Sequence, residues 1–178
     1  MPTQELAATP SAPGALATTS KALAWYGPAA DRGDVRAQRA LGDIFHYGWG
    51  APLDRTEAAK WYHRAAEQGD VRSQKRLALI YSLGNGLPQD QSEAVKWYRL
   101  AAEQGDAGAR HSLGLKYLFG QGVPRDYVLA YMWFSLAEAA DRHEGEPDYA
   151  AARESRDLAA RHLTPDQIAD AERVAREW

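Results

Sequence analysis

Four tryptophans recur along the chain at a constant spacing of 36 residues, at Trp25, Trp61, Trp97 and Trp133. Glycine, leucine, proline and aspartate recur at the same spacing, for example at Gly33, Gly69 and Gly105 and at Pro52, Pro88 and Pro124. Self-similarity at a fixed period of roughly 20 to 50 residues is the signature of a protein built from stacked supersecondary units. The sequence therefore predicts a repeat protein, and this constrains its fold more than its composition does.

Each 36-residue unit contains the patterns of two helices, which we call its first and second helix. The first helix of the second unit has apolar or small residues on one helical face, at Ala58, Trp61, Tyr62, Ala65 and Ala66. Its second helix has Leu77, Ile80, Tyr81 and Leu83 as predicted core contacts. The alternation predicts an all-α solenoid of helix-turn-helix repeats.

Turn and cap residues separate the predicted helices. Gly69 is placed to end a helix in the left-handed conformation, and Asp70 to cap the next one. Pro88 cannot continue the helix before it. Glutamate follows three residues after Asp54 and Asp90, which is the spacing of a capping box.

These motifs resemble the Sel1-like repeat, a relative of the tetratricopeptide repeat with a longer unit. The resemblance is carried by residues 58–70, AAKWYHRAAEQGD, and 94–106, AVKWYRLAAEQGD, with the Gly-x-Gly-x-Pro-x-Asp turn, and it covers residues 22–140. It implies a bacterial scaffold or adaptor for other proteins, acting in regulation, envelope maintenance or host contact. The first unit departs from the pattern at Gly27-Pro28, which predicts a helix that is kinked or begins late.

The chain divides into three predicted segments. Residues 1–20 read as a flexible leader, residues 21–140 as about three and a half repeats, and residues 141–178 as a carboxyl-terminal cap. Within the cap we expect a loop over 141–148 and helices over about 149–163 and 165–176, the second one started by Thr164 and Gln167. A cap is expected because a stack of repeats exposes an apolar face at its end.

Composition excludes several classes of site. The chain has no cysteine, so it has no thiolate metal site or thiol nucleophile. The formal net charge of −3 argues against a nucleic-acid binder. No apolar run reaches the roughly 18 to 20 residues of a membrane span, and residues 1–20 lack the basic start of a signal peptide. We expect a cytoplasmic monomer or weak oligomer, or a periplasmic or secreted protein if a signal has been removed.

No constellation of residues predicts catalysis, a cofactor or a metal. Carboxylates such as Glu67 and Asp70 recur at the repeat period, as caps do, whereas an active site is unique. The glycine-rich turns lack the Lys-Ser/Thr of a phosphate loop, and the histidines lack metal-ligand spacing. The expected function is non-catalytic binding of a protein or peptide.

The predicted binding site lies on first helices, which we expect to line the concave face of the solenoid. Lys60, Arg64, Lys96 and Arg99 form a predicted basic strip that would hold carboxylates. The strip is extended by His63, by Tyr131, Met132 and Ser135 of the fourth unit, and by Trp49 in a turn. The four repeat tryptophans are expected to be core, and Trp49 lies outside their series.

Three alternatives stay open at the level of sequence. One is an enzyme acting on a peptide or cell-wall fragment, and another is a structural subunit of a bacterial envelope complex. A third is a nucleic-acid-binding solenoid using basic residues of the second helices, which we expect on the convex side: Arg36, Arg39, Arg72, Lys75, Arg76 and Arg110.

Overall fold

The computed structural model describes the backbone of residues 13–144 and 149–178, and the side chains of residues 21–140 and 151–178. These ranges contain nine α-helices and no strand. The helices are α1 (Pro13–Asp31), α2 (Val35–Tyr47), α3 (Arg55–Glu67), α4 (Val71–Leu83), α5 (Gln91–Glu103), α6 (Ala107–Phe119), α7 (Tyr127–Glu144), α8 (Tyr149–Ala160) and α9 (Pro165–Glu177).

The helices stack in chain order, each one against the next, through α8. Helices α2, α4 and α6 have the same bounds displaced by 36 residues, and so do α3 and α5. Helices α1, α3, α5 and α7 are the first helices of four units, and α2, α4 and α6 are second helices. The predicted all-α solenoid with a period of 36 is confirmed.

Aspartates and glycines mark the ends of the second helices as predicted. Asp70 caps α4, and its carboxylate accepts a hydrogen bond from the backbone N–H of Ser73 at 2.9 Å. Asp34 and Asp106 do the same for α2 and α6. Each cap of this kind is worth about 1 kcal/mol of stability. The same three helices end at glycines with φ near 68°, where a side chain would be strained: Gly48, Gly84 and Gly120.

A ladder of glutamines connects neighbouring units through hydrogen bonds that are buried or partly buried. The Gln74 side-chain amide donates to the carbonyl of Ala66 at 3.2 Å and accepts from Gln104 at 2.8 Å. Gln38 makes the same pair of bonds one unit earlier. Arg110 takes the third position, donating to the carbonyls of Ala102 and Leu136 at 3.1 and 3.0 Å. The polar atoms of the ladder are therefore paired despite their burial.

Tight packing between helices depends on small residues facing aromatic rings. A Cβ added at Gly42 would lie 2.6 Å from the ring of Tyr62, and one at Gly114 would lie 2.5 Å from Phe134. Tyr62 and Phe134 are both fully buried. The missing side chain on the second helix lets the aromatic ring of the following first helix sit directly on its backbone.

The two ends of the described chain differ from the predictions. Helix α1 begins at Pro13, inside the predicted leader, and runs through Pro28, so the predicted late start is wrong. Residues 1–12 lie outside the described residues. Helix α7 continues to Glu144 where a loop over 141–148 was expected, and residues 145–148 are not described.

The predicted cap helices correspond to α8 and α9. Both form within one to three residues of their expected bounds. The capping box that starts α9 is present, with Gln167 N–H donating to the Thr164 hydroxyl and the Gln167 amide accepting from the Thr164 N–H. Helix α9 packs against α7, and the indole rings of Trp133 and Trp178 meet edge to face at 5.0 Å.

The repeat tryptophans are not equally buried. Trp133 is 4% exposed, Trp61 and Trp97 are half-buried, and Trp25 is 81% exposed. Trp61 packs against the apolar cluster that α1 and α2 form. Trp25 has no earlier helix to pack against among the described residues, so the prediction that it is core is wrong.

Candidate partner-binding surfaces

The predicted basic strip on the first helices is largely neutralised by its own neighbours. Lys60 donates to the Glu57 carboxylate at 2.8 Å, and Lys96 pairs with Glu93 in the same way one period later. These hydrogen bonds raise the pKa of both lysines above its ordinary value. Their ammonium groups are therefore already engaged within α3 and α5.

The other members of the strip also have partners. The Arg64 guanidinium lies 4.6 Å from the centre of the Trp61 ring and 3.9 Å from the Asp31 carboxylate. His63 contacts the ring of Trp97 edge to face at 5.4 Å. Arg99 differs, because it donates to the uncharged hydroxyl of Tyr117 at 2.5 Å and keeps its charge uncompensated by this contact.

The predicted contribution of the fourth unit is wrong. Tyr131 and Met132 are 6% and 4% exposed, so neither can contact a partner in this conformation. The Tyr131 hydroxyl donates to Glu172 of α9 at 3.1 Å, and burial, followed by this bond, raises the pKa of Tyr131. Ser135 is half-buried and donates to the carbonyl of Tyr131 at 2.9 Å. Helix α9 covers this face of α7.

Trp49 is 62% exposed and stacks on the ring of Tyr47 at 4.4 Å. Tyr47 begins a row of exposed apolar side chains at the carboxyl ends of the second helices, which the sequence analysis missed. The row continues one period at a time with Leu83, 64% exposed, and Phe119, 59% exposed. Leu83 was predicted to be core and is not. The three residues are equally spaced in the sequence, and each stands just before a helix-ending glycine. This regularity could have predicted the row.

A groove of about 580 Å³ runs across three consecutive second helices, α2, α4 and α6. The basic residues of these helices were expected on the convex side, away from the predicted binding site on the first helices. The groove is lined by Arg39, Asp43, Arg72, Lys75, Arg76, Leu79, Tyr98, Gly108 and Ser112. Four of these nine residues are cations and one is an acid.

Two of the four cations are paired between units. Arg39 donates to Asp70 at 2.6 Å, and Lys75 lies 2.9 Å from Asp106, so each aspartate caps its helix and also receives a cation from the preceding second helix. No carboxylate of the described residues lies within ion-pair distance of Arg72 or Arg76, although the Arg76 guanidinium lies over the ring of Tyr47, 5.5 Å from its centre. The groove therefore keeps two positive charges without a carboxylate partner.

The remaining acid of the groove is also engaged. Asp43 accepts a hydrogen bond of 2.7 Å from the hydroxyl of Tyr62, and burial together with this bond raises the pKa of Tyr62. The pKa of the nearby His46 is lowered, by burial first and then by the charges of Arg76 and Arg55. The electrostatic character of the groove is positive.

Other kinds of site find little support in the described residues. Among the side chains of 21–140 and 151–178, no three His, Asp or Glu lie close enough together to hold a metal ion. No helix within the described part of the chain is both long and apolar enough to span a membrane. The groove and the exposed apolar row are two surfaces that are accessible to a partner.

Stacked helix pairs, interlocked by repeated caps and glutamines, define an α-solenoid of helix-turn-helix repeats with a basic groove on one side. The chain belongs to the Sel1 repeat family, whose model matches residues 19–34, 35–70, 71–106 and 107–141. Repeats of this family are typically non-catalytic and generally serve as scaffolds for protein–protein interaction.

Solved structures of bacterial Sel1 repeat proteins are similar to this chain. A Sel1 repeat protein from Oxalobacter formigenes is 34% identical with a TM-score of 0.65, over 76% of this chain and 96% of its own. The protective antigen c5321 of uropathogenic Escherichia coli is also 34% identical with a TM-score of 0.65, but this chain spans only 34% of its length. The Helicobacter pylori cysteine rich protein B, 19% identical with a TM-score of 0.57, shares the fold. No curated protein sequence matches the chain significantly.

Proposed function

We propose that this protein is a non-catalytic adaptor that binds an acidic polypeptide segment in the groove across α2, α4 and α6. The observation that carries the proposal is the pair of groove arginines, Arg72 and Arg76, which have no carboxylate partner among the described residues while Arg39 and Lys75 beside them do. A guanidinium presents a planar fork of donors that matches a carboxylate in two places.

The groove also offers apolar contact on one side. Along α4 the exposed face carries Arg72, Lys75 and Arg76 in its first two turns, and Leu79 and Leu83 toward its end. Leu79 lines the groove and Leu83 belongs to the apolar row. A segment lying across the second helices would therefore meet positive charge along one edge and apolar side chains along the other. Arginine is one of the residues enriched at energetically important interface positions.

The absence of a side chain at Gly108 shapes the groove. Gly108 stands one period after Arg72 and two after Arg36, so the third unit has open space where the first two have arginine. A Cβ there would approach Lys75 Nζ to 3.5 Å. The positive charge that has no carboxylate partner is therefore concentrated on α4, between α2 and α6.

Selection of peptides from a random display library against the purified protein tests this proposal. We expect enrichment of peptides rich in Asp and Glu, with binding at least tenfold weaker to the Arg72→Glu/Arg76→Glu double variant. The matched control is Arg153→Glu/Arg161→Glu, which makes the same charge change at two exposed positions, one on α8 and one in the turn after it. This control variant should bind like the parent, and salt should weaken binding to both.

Two results would contradict the proposal. One is that no peptide is enriched above background. The other is that the enriched peptides bind the groove variant and the control variant equally well, which would place the binding site away from Arg72 and Arg76.

A further inference from the structure

Helix α9 shows what kind of partner fits the outer face of a first helix in this solenoid. It lies on α7, with Ala171 1% exposed and Ile168 and Val174 half-buried against the core. The residues of α7 that line the small cavity between the two helices include Tyr131, Ser135, Leu136 and Ala139. An amphipathic helix can therefore pack on this face of a first helix.

The same face is open one period earlier, on α5. The residues equivalent to those four are Val95, Arg99, Leu100 and Glu103, and all of them line an open cavity of about 440 Å³. Val123, from the turn between α6 and α7, lines the same cavity. Leu100 is 43% exposed, whereas its counterpart Leu136 under α9 is 7% exposed.

A second cavity extends this open face toward the amino end of the chain. It has a volume of about 700 Å³, lies between α3 and α5, and shares Leu100 and Glu103 with the first. The open face ends at α3, where the counterpart of Leu100 is Arg64, which is held by Trp61 and Asp31. Among the second, third and fourth units, the third therefore presents an uncovered apolar residue at this position.

We infer that this face of α5 is a docking surface for an amphipathic helix of a partner protein, with an apolar stripe like that of α9 and acidic residues beside it. The surface is separate from the groove of α2, α4 and α6, because the two share no lining residue. A helix docked there would continue the α7–α9 interface by one unit.

The charge of Arg99 favours an acidic residue on the partner. Where α7 has Met132 and Ser135, α5 has Lys96, which is paired with Glu93, and Arg99, which has no carboxylate partner among the described residues. The guanidinium of Arg99 donates to the hydroxyl of Tyr117, and a carboxylate is a stronger acceptor for it. Helix α9 itself is acidic, with four carboxylates against two arginines: Asp166, Asp170, Glu172 and Glu177 against Arg173 and Arg176.

A synthetic peptide with the α9 sequence, residues 164–178, is the probe that tests this inference. Titrating it into the intact, ¹⁵N-labelled protein should shift backbone resonances of α5 and of the turn at Val123, because α7 is already covered by the chain's own helix. Leu100→Glu should weaken binding at least tenfold. The matched control is Leu158→Glu on α8, a leucine that is 39% exposed and remote from the face, and it should bind the peptide like the parent.

Two further controls keep the test specific. A peptide of the same composition with its apolar residues scrambled should not bind. The resonances of α7 and α9 should be unchanged by Leu100→Glu, which shows that the variant keeps its fold and its cap.

Several outcomes would overturn the inference. Shifts confined to α7 would mean that the peptide replaces the chain's own α9. Undiminished binding of the peptide to the Leu100→Glu variant would overturn the inference, and so would the absence of binding at millimolar peptide. Self-association of the protein that Leu100→Glu abolishes would also overturn it, since the face would then belong to a second copy of this chain.

Discussion

The guanidinium of Arg39 on α2 donates to the carboxylate of Asp70, the residue that caps α4, over 2.6 Å. The same carboxylate accepts the backbone N–H and the hydroxyl of Ser73. One period later Lys75 and Asp106 repeat the arrangement at 2.9 Å. Each of these aspartates therefore starts its own helix and also ties it to the preceding second helix.

Replacing Asp70 in two ways should separate the cap from the ion pair. Asp70→Asn keeps a side-chain oxygen for the Ser73 N–H and loses only the charge, so we expect a loss of less than about 1 kcal/mol in the free energy of unfolding. Asp70→Ala loses both the cap oxygen and the charge, and it should lower the free energy of unfolding by about 2 kcal/mol. Urea denaturation measures the difference, and equal losses in the two variants would contradict the dual role.

Two glycines of α6 should respond in opposite ways to alanine. At Gly114 a Cβ would lie 2.5 Å from the buried Phe134 ring, so Gly114→Ala should cost about 1 to 3 kcal/mol. At Gly108 the nearest atoms are at 3.4 Å or beyond, and the better helix propensity of alanine should stabilise by up to about 1 kcal/mol. Thermal unfolding of both variants measures this, and a stabilised Gly114→Ala would show that the packing is looser than described.

The loss of stability on alanine substitution should differ among the four repeat tryptophans and should follow their burial. Trp133→Ala should cost about 3 to 5 kcal/mol because this indole is buried under the cap. Trp25→Ala should change stability by no more than about 0.5 kcal/mol because its indole is 81% exposed. Trp61 and Trp97 should fall between them. The unfolding free energies in urea give the order, and a large loss for Trp25→Ala would mean that another part of the chain covers it.

Lys116 should make stability depend on pH. It is 8% exposed at a position where the two preceding units have Ile44 and Ile80, and its ammonium is held by the amides of Gln91 and Gln121. Burial lowers the pKa of Lys116 below its ordinary 10.5. Between the lowered value and 10.5 the folded state binds fewer protons than the unfolded state, so this lysine's contribution to stability rises with pH.

Lys116→Ile should therefore stabilise the protein at pH 7, by about 1 to 3 kcal/mol, because it replaces a buried charge with an apolar side chain. The gain should shrink as the pH approaches 10.5. Chemical denaturation of parent and variant from pH 7 to pH 10 measures it, with Lys21→Met as the control at an exposed lysine. A gain that grows with pH would contradict the sign of the pKa shift.

The interior of the solenoid was predictable from the sequence because every unit obeys the same local rules. Asp70 caps and Gly84 ends α4 as expected, and Tyr62 is buried as the helical periodicity requires. Departures occur where a residue's surroundings do not repeat. Trp25 has no described helix before it, and Tyr131 is covered by α9, which lies outside the repeat pattern.

The candidate site was less predictable because it depends on pairing between helices. Sequence spacing identifies Lys60 and Arg76 as basic, but it does not show that Glu57 engages Lys60 while no described carboxylate reaches Arg76. Leu83 fits the apolar pattern of α4, but its side chain lies at the edge of the apolar face and is exposed to solvent. These outcomes are set by the relative rotation of stacked helices, which one unit's sequence does not encode.

Photo-crosslinking in the organism that encodes the protein tests the central claim most directly. A photoreactive amino acid in place of Leu79 lies in the groove, and one in place of Arg153 lies on α8 away from it. The groove proposal predicts a discrete adduct with an acidic polypeptide from position 79 only, which Arg72→Glu/Arg76→Glu removes and Arg153→Glu/Arg161→Glu leaves intact. An adduct that survives the groove substitutions, or none from position 79, would contradict it.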